Sequence, residues 1–165
     1  MVSMKNKTLS WLSDNKDYIL DLRRWLHENP ELGFQEFETS KYLKEILSNK
    51  GYKIVENDIM QTGFYCDYIG NKEAPILALR TDMDALAIQE NSNQRYISKN
   101  KGIMHACGHD VHMTVIAALA MYLIDNNISI NGTIRFIFQP AEEKAPGGAL
   151  SMIDGGAIDG VSHIF

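Results

Sequence analysis

The sequence is short of several things, and each shortage narrows what the protein is. Only two cysteines occur in 165 residues, too few for the disulfide framework of a small secreted domain, so a reducing cytoplasm is the expected setting. Positive charge is not in excess: 16 Lys and Arg stand against 21 Asp and Glu, a net charge of -5. No basic stripe offers a nucleic acid its electrostatic footprint, and none is expected as a partner. No apolar run approaches the ~20 residues of a bilayer span, and Met1-Val-Ser-Met-Lys-Asn-Lys7 is not followed by the apolar stretch and cleavage site of a secretory signal. Internal repeats and low-complexity linkers are lacking too. What is present, 45% apolar and 22% charged residues, is the composition of an ordinary globular domain with one core.

Hydrophobic period supplies the elements. Ile19, Leu22, Trp25 and Leu26 share one face of a helix expected from about 17 to 28, which Asn29-Pro30 stops because the residue before proline is pushed out of the helical region. A second helix is expected over about 35–50, with Phe37, Tyr42, Leu43, Ile46 and Leu47 as its stripe and Gly51 as its C-terminal punctuation. Together they read as an N-terminal helical hairpin over about 17–50. Strands are expected at 64–69 and 75–80, joined by a short connection with the turn signal Gly70-Asn71-Lys72, and at 133–138. The strand at 75–80 is apolar nearly throughout, as a strand covered on both faces would be. Between the last two, Val111, Val115, Ala118, Leu119, Tyr122 and Leu123 mark a helix with Asp110 as its N-cap. Strand, helix, strand gives an α/β layered sheet with flanking helices.

The densest chemistry lies in His105-Ala-Cys107-Gly-His109-Asp110-Val-His112: three imidazoles, a thiol and a carboxylate within eight residues of a chain with five His and two Cys. On an extended backbone Cys107 and His109 would point to one side and reach one divalent ion at about 2.0–2.3 Å. The cluster therefore reads as half of a metal site, with two other readings open: a reactive thiol paired with His, or structure alone. It is not a zinc-finger spacing, since no second Cys or His pair follows at the required distance.

In open α/β sheets ligands gather beyond the carboxyl ends of strands, and further carboxylates stand there. Asp82 and Asp84 follow one strand; Glu142 and Glu143 follow another after Gln139-Pro140-Ala141. Neighbouring glutamates point in different directions, so one could bind a metal while the other takes a proton from water. One of the two aspartates could hold a ligand imidazole in its tautomer.

Four segments in order, Leu26-His-Glu-Asn-Pro-Glu-Leu-Gly33, Arg80-Thr-Asp-Met-Asp-Ala-Leu86, Met104-His-Ala-Cys-Gly-His-Asp110 and Phe138-Gln-Pro-Ala-Glu-Glu143, closely resemble the metal-dependent amidohydrolases of N-acyl amino acids, a family that includes hippurate hydrolases, auxin-conjugate hydrolases and N-acetyldiaminopimelate deacetylases. The resemblance implies metal ligands at Cys107, His109 and Glu143 and catalytic roles for Asp82, Glu142 and Glu143. Glu142 would be the general base, although the opposite division of labour between the glutamates stays open. Asp84 and His112 are expected to support a ligand or face the substrate; His27 at a helix end is expected to be structural. The implied cofactor is one or two divalent ions, Zn²⁺ or Mn²⁺, with Co²⁺ or Ni²⁺ acceptable; the implied partner is a small N-acyl amino acid, with no membrane, and the full-length form is expected to be a homo-oligomer.

Departures from the family pattern are Ala87, where Pro is usual, and Lys144, where Gly is common; neither removes a functional group. The resemblance also implies that 165 residues are the N-terminal part of a zinc-exopeptidase-like catalytic domain, without the satellite (lid or dimerisation) domain and two further ligand histidines. One of those would follow a strand like Ile164-Phe165; His163 precedes that strand and is expected to be a loop residue. Two functions follow: a metal-dependent amidohydrolase, or a fragment of one that binds metal weakly and serves only in association.

Overall fold

The computed structural model describes residues 4–70 and 74–165, so Asn71 and Lys72 of the expected turn lie outside the described residues. Helices α1 (Met4–Asp14), α2 (Lys16–Glu28) and α3 (Phe37–Asn49) precede β1 (Ile54–Val55), a 3-10 turn at Asp58–Met60, β2 (Phe64–Ile69) and β3 (Ile76–Asp82); α4 (His109–Asp125), β4 (Thr133–Gln139), α5 (Ala149–Asp154) and β5 (Val161–Ile164) complete the chain. The sheet runs β1-β2-β4-β3-β5. β3 and β4 are parallel neighbours joined through α4, the strand, helix, strand unit expected from sequence.

The short link between β2 and β3 does not make them partners. β4 inserts between them, antiparallel to β2 with Phe64 opposite Phe138, and parallel to β3 with Asp82 opposite Gln139. Strand alternation then divides the core. Phe64, Cys66, Phe136 and Phe138 face Leu22, Leu26, Leu43, Leu47, Met113 and Met121 of the three helices α2, α3 and α4. Ala78 and Ile137 face a smaller cluster with Met60, Met152 and Ala157. Phe64 and Phe138 stack with ring centroids 4.6 Å apart.

Several expectations are corrected. Helix α1 was not foreseen: Leu9 and Leu12 face solvent, and it docks mainly through Trp11, whose ring meets Tyr122 edge-on at 5.5 Å and whose Nε1 donates to Asp125. On α4, Ala118, Tyr122 and Leu123 are buried as expected, but Val111 and Val115 are exposed, and the buried face also takes in Met113, Ala117, Ala120 and Met121. Phe37 likewise lies outside the core. The N-cap of α4 is Gly108, not Asp110, which lies in the first turn. Leu77 and Arg80 are exposed, so β3 is not covered on both faces along its length; Thr81 and Asp82 at its C-terminal end are buried. His163 belongs to β5 rather than a loop. Gly51, at φ +96°, does follow α3 in the left-handed conformation its sequence position predicted.

Candidate metal centre

The carboxyl ends of β3 and β4 lie side by side, tied by the Met83 amide donating to the Gln139 carbonyl at 3.0 Å. Asp82 ends β3, Met83 turns into the core and Asp84 follows, fully buried. From the other side comes the start of α4. Gly108 takes φ +93°, a conformation costly for residues with a Cβ. The Cys107–His109 pair is therefore brought together by a left-handed turn into a helix, not by the extended backbone the spacing suggested.

His109 is the hub. Its Nδ1 lies 2.9 Å from the Asp84 carbonyl oxygen; a carbonyl only accepts, so Nδ1 keeps its proton and Nε2 is the nitrogen at which a metal would displace one. Nε2 lies 3.8 Å from Asp82 Oδ2, beyond hydrogen-bond length. Burial works to lower the pKa of His109, but the hydrogen bonds to Asp84 and Cys107 outweigh it and push the group up to about 11. Burial works to raise Asp84, and the hydrogen bonds from His109 and the Glu143 and Glu142 amides hold it below the usual aspartate value.

Two sets of potential ligands share His109: Cys107, His109 and Glu143, and Asp82, His109 and His112, the donor atoms of each set lying within 4.8 Å of one another. Arg80 Nη1 donates to Asp82 Oδ1. The Glu142 and Glu143 side chains are exposed, while their backbone amides donate to Asp84 Oδ1 and Oδ2 at 3.0 and 2.9 Å. Asp84 thus holds both His109 and the two-glutamate loop. A cleft of about 320 Å³ opens beside Glu143, with Asp84 in its wall together with Leu32, Gly33, Gln35, Ala85, Leu86, Ala87 and Lys144.

The remaining histidines stand apart. His27 is buried against α4 and the 83–108 connection, with Nδ1 2.7 Å from Asp110 Oδ2 and Nε2 3.3 Å from Glu90 Oε1. Buried His105 has no hydrogen-bond partner on either ring nitrogen among the described residues, and burial lowers its pKa to about 4. Glu36 was missed by sequence reasoning. It reads as a surface acid at the start of a helix, yet it is fully buried and its Oε1 accepts from the Ala141 amide at 2.8 Å, across 105 residues; nothing local signals that reach.

Comparison with known proteins agrees with this geometry. The chain is 44% identical over 153 residues to an N-acetyl-L-cysteine deacetylase of Bacillus subtilis, covering 93% of this chain and 36% of the relative. It is 42% identical to the IAA-amino acid hydrolase ILR1-like 4 of Arabidopsis thaliana, covering 99% and 37%. Among solved structures, a Bacillus subtilis protein described as a dinuclear metal binding peptidase from the M20 family superposes with a TM-score of 0.85 at 44% identity, over 90% of this chain and 41% of that one. A putative aminohydrolase from methicillin-resistant Staphylococcus aureus gives 0.90 at 39% identity, over 98% and 41%. The chain thus spans little more than a third of the length of the curated relatives it matches. The model of peptidase family M20/M25/M40 matches residues 78–165, more than half of the sequence and the stretch that holds both aspartates, the Cys/His cluster and the glutamate pair, and the chain belongs to that family.

Proposed function

We propose that this chain carries part of the catalytic domain of a metal-dependent amidohydrolase that cleaves the amide bond of N-acyl or N-aroyl amino acids or short peptides. The observation that supports this most directly is the convergence of Cys107, His109 and Glu143, remote in part along the chain, to within 4.8 Å beside a second, exposed glutamate. Thiolate, imidazole and carboxylate together suit Zn²⁺, and Mn²⁺, Co²⁺ or Ni²⁺ where the thiolate is weakly engaged. These three residues would hold one ion, and Asp82 and His112 offer donors for a second. When bound, a divalent ion there polarises the amide carbonyl and lowers the pKa of water to about 7.

The chain's own groups divide the remaining work. Glu142 takes a proton from the attacking water and passes it to the departing amine nitrogen. Asp84 keeps the proton of His109 on Nδ1 through its carbonyl and fixes the loop carrying both glutamates through its carboxylate. Arg80 holds Asp82 at the strand end. The cleft beside Glu143, apolar along Leu32, Ala85 and Leu86, is a place for the acyl group. No helix among the described residues is long and apolar enough to cross a membrane; a cytoplasmic setting and a homo-oligomeric full-length form belong to the same proposal.

Incubating the protein with hippurate and N-acetyl amino acids, N-acetylcysteine included, with Zn²⁺, Mn²⁺ or Co²⁺ added, should release amine in a way that EDTA abolishes and Cys107→Ser removes. Release that persists in EDTA and stops with iodoacetamide would replace this reading with a Cys107 nucleophile. The length of the relatives favours one second reading, in which this segment alone binds metal weakly; Co²⁺ uptake without amine release would select it.

A further inference from the structure

The loop that carries Glu142 and Glu143 starts with an awkward residue. Ala141 adopts φ +47°, a left-handed conformation that costs an L-residue roughly 1–2 kcal/mol. Glycine would relieve the strain, yet Ala141 is fully buried and its Cβ packs on the backbone of Gly33, where an added Cβ would come within 3.1 Å of it. Something must therefore hold Ala141 in place. Its amide is buried, and a buried N–H left without an acceptor costs ~1–3 kcal/mol, so the group that accepts from it selects the local conformation.

That group is Glu36. It stands at the N-cap position of α3 but makes no capping bond to its own helix. The capping task falls to Glu31 instead, whose carboxylate accepts from the Glu38 and Thr39 amides. Glu36, so released, turns inward: Oε1 accepts from Ala141 N at 2.8 Å and Oε2 accepts from Thr62 Oγ1 at 2.7 Å. Ser40 Oγ in turn donates to the Thr62 carbonyl at 2.6 Å, fixing the arm that aims Glu36. With Asp84 taking the Glu142 and Glu143 amides, two fully buried carboxylates hold three successive backbone N–H groups.

We propose that Glu36 is a positioning residue for the glutamate pair: by accepting from the Ala141 amide it locks the left-handed turn that sets where Glu142 and Glu143 project. The carboxylate works as a hydrogen-bond acceptor and touches neither substrate nor ion. Glutamine serves the same purpose, because its amide oxygen can face Ala141 while its NH2 donates to the Thr62 hydroxyl, which both donates and accepts. Leucine, of similar bulk, leaves the Ala141 amide orphaned. The consequence for Glu143 as a metal ligand rests on the function proposed above; the consequence for the backbone does not.

Amide hydrogen exchange read residue by residue, with Co²⁺ titration of the same samples, tests this. In Glu36→Leu, with helix content unchanged by circular dichroism, the Ala141, Glu142 and Glu143 amides should exchange at least about tenfold faster while those of α2 keep their rates, and Co²⁺ affinity should fall about tenfold. Glu36→Gln should restore both to within about twofold. Should Glu36→Leu fail to fold, Thr62→Val, which removes only the bond that aims Oε2, should speed exchange at Ala141 about threefold with the Glu36 to Ala141 bond kept. Unchanged exchange at 141–143 in the folded variant, or a glutamine variant as disturbed as the leucine one, overturns the assignment. A wild-type chain that takes up no Co²⁺ defeats the metal reading instead, and exchange at 141–143 still decides the role of Glu36.

Discussion

His27 and His109 each lie between two carboxylates inside the same layer of the protein, and they differ in what is left over. Around His27 every edge is taken: Asp110 faces Nδ1, Glu90 faces Nε2, and the ring of Tyr96 stands edge-on at 5.9 Å. Asp110 also pairs with Arg23 Nε at 3.1 Å, and Glu90 receives Ser92 Oγ and the Ser98 amide. The result is a clasp that pins the long connection between β3 and α4 onto α2. Around His109, Nδ1 is satisfied by the Asp84 carbonyl, while Nε2 faces Asp82 across 3.8 Å, with Cys107 and Glu143 close by. A saturated imidazole holds structure, whereas one with a prepared but unfilled edge is ready for a ligand.

Exchanging the two sites' roles should fail, and the largest effect should come from the open one. His109→Ala should abolish Co²⁺ binding measured by visible absorption, while His27→Ala should leave the affinity within about threefold. The penalty at His27 falls on stability: removing it leaves Asp110 and Glu90 buried without their shared partner, for a loss of ~3 kcal/mol in urea denaturation. A His27→Ala protein as stable as wild type would remove the distinction between the sites. Asp84→Asn sharpens it further. The Glu142 and Glu143 amides bond to different oxygens of Asp84, and in asparagine one of these becomes an NH2 that faces a backbone N–H, so metal affinity should drop about tenfold with a smaller change in stability than at His27.

The smallest effect is in pH dependence. Burial raises the pKa of Glu36 above its usual 4.5, more than its bonds to Thr62 and Ala141 lower it. The folded protein thus keeps that proton to higher pH than the unfolded chain does, and stability declines as pH climbs from 4.5 through the raised value. Glu36→Gln removes this slope, so the stability of the variant relative to wild type should increase with pH across that window and be constant below it. A relative stability that decreases with pH would contradict the sign of the shift.

Much of the arrangement was legible because it is local. The apolar periods of α2 and α3, the strand at 133–138 and the density of donors in 105–112 each depend on residues near one another in sequence. The misses share a cause. Helix α1 carries few apolar residues and is held against α4 by Trp11 and by the polar contacts of Thr8 with Tyr122 and of Lys7 with Asn126; Val111 and Val115 fit a helical stripe, but the sheet meets α4 on the side of Met113 and Met121. The link between β2 and β3 is short enough for a hairpin, and only the favourable packing of β4 between them decides otherwise. Glu36 looks like a surface acid because its partners Thr62 and Ala141 lie 26 and 105 residues away, and Glu90 because the imidazole that it meets is 63 residues away.

The amino-acid order by itself determined which donor atoms exist, that Cys107 and His109 stay together, and which segments pair apolar faces with a core, since periodicity and short-range spacing are written along the chain. Tertiary structure decided which imidazole keeps a free edge and which carboxylates are spent holding backbone amides. Hydrogen-bond saturation depends on groups that meet only when the sheet and helices close on one another, and no local pattern encodes that meeting.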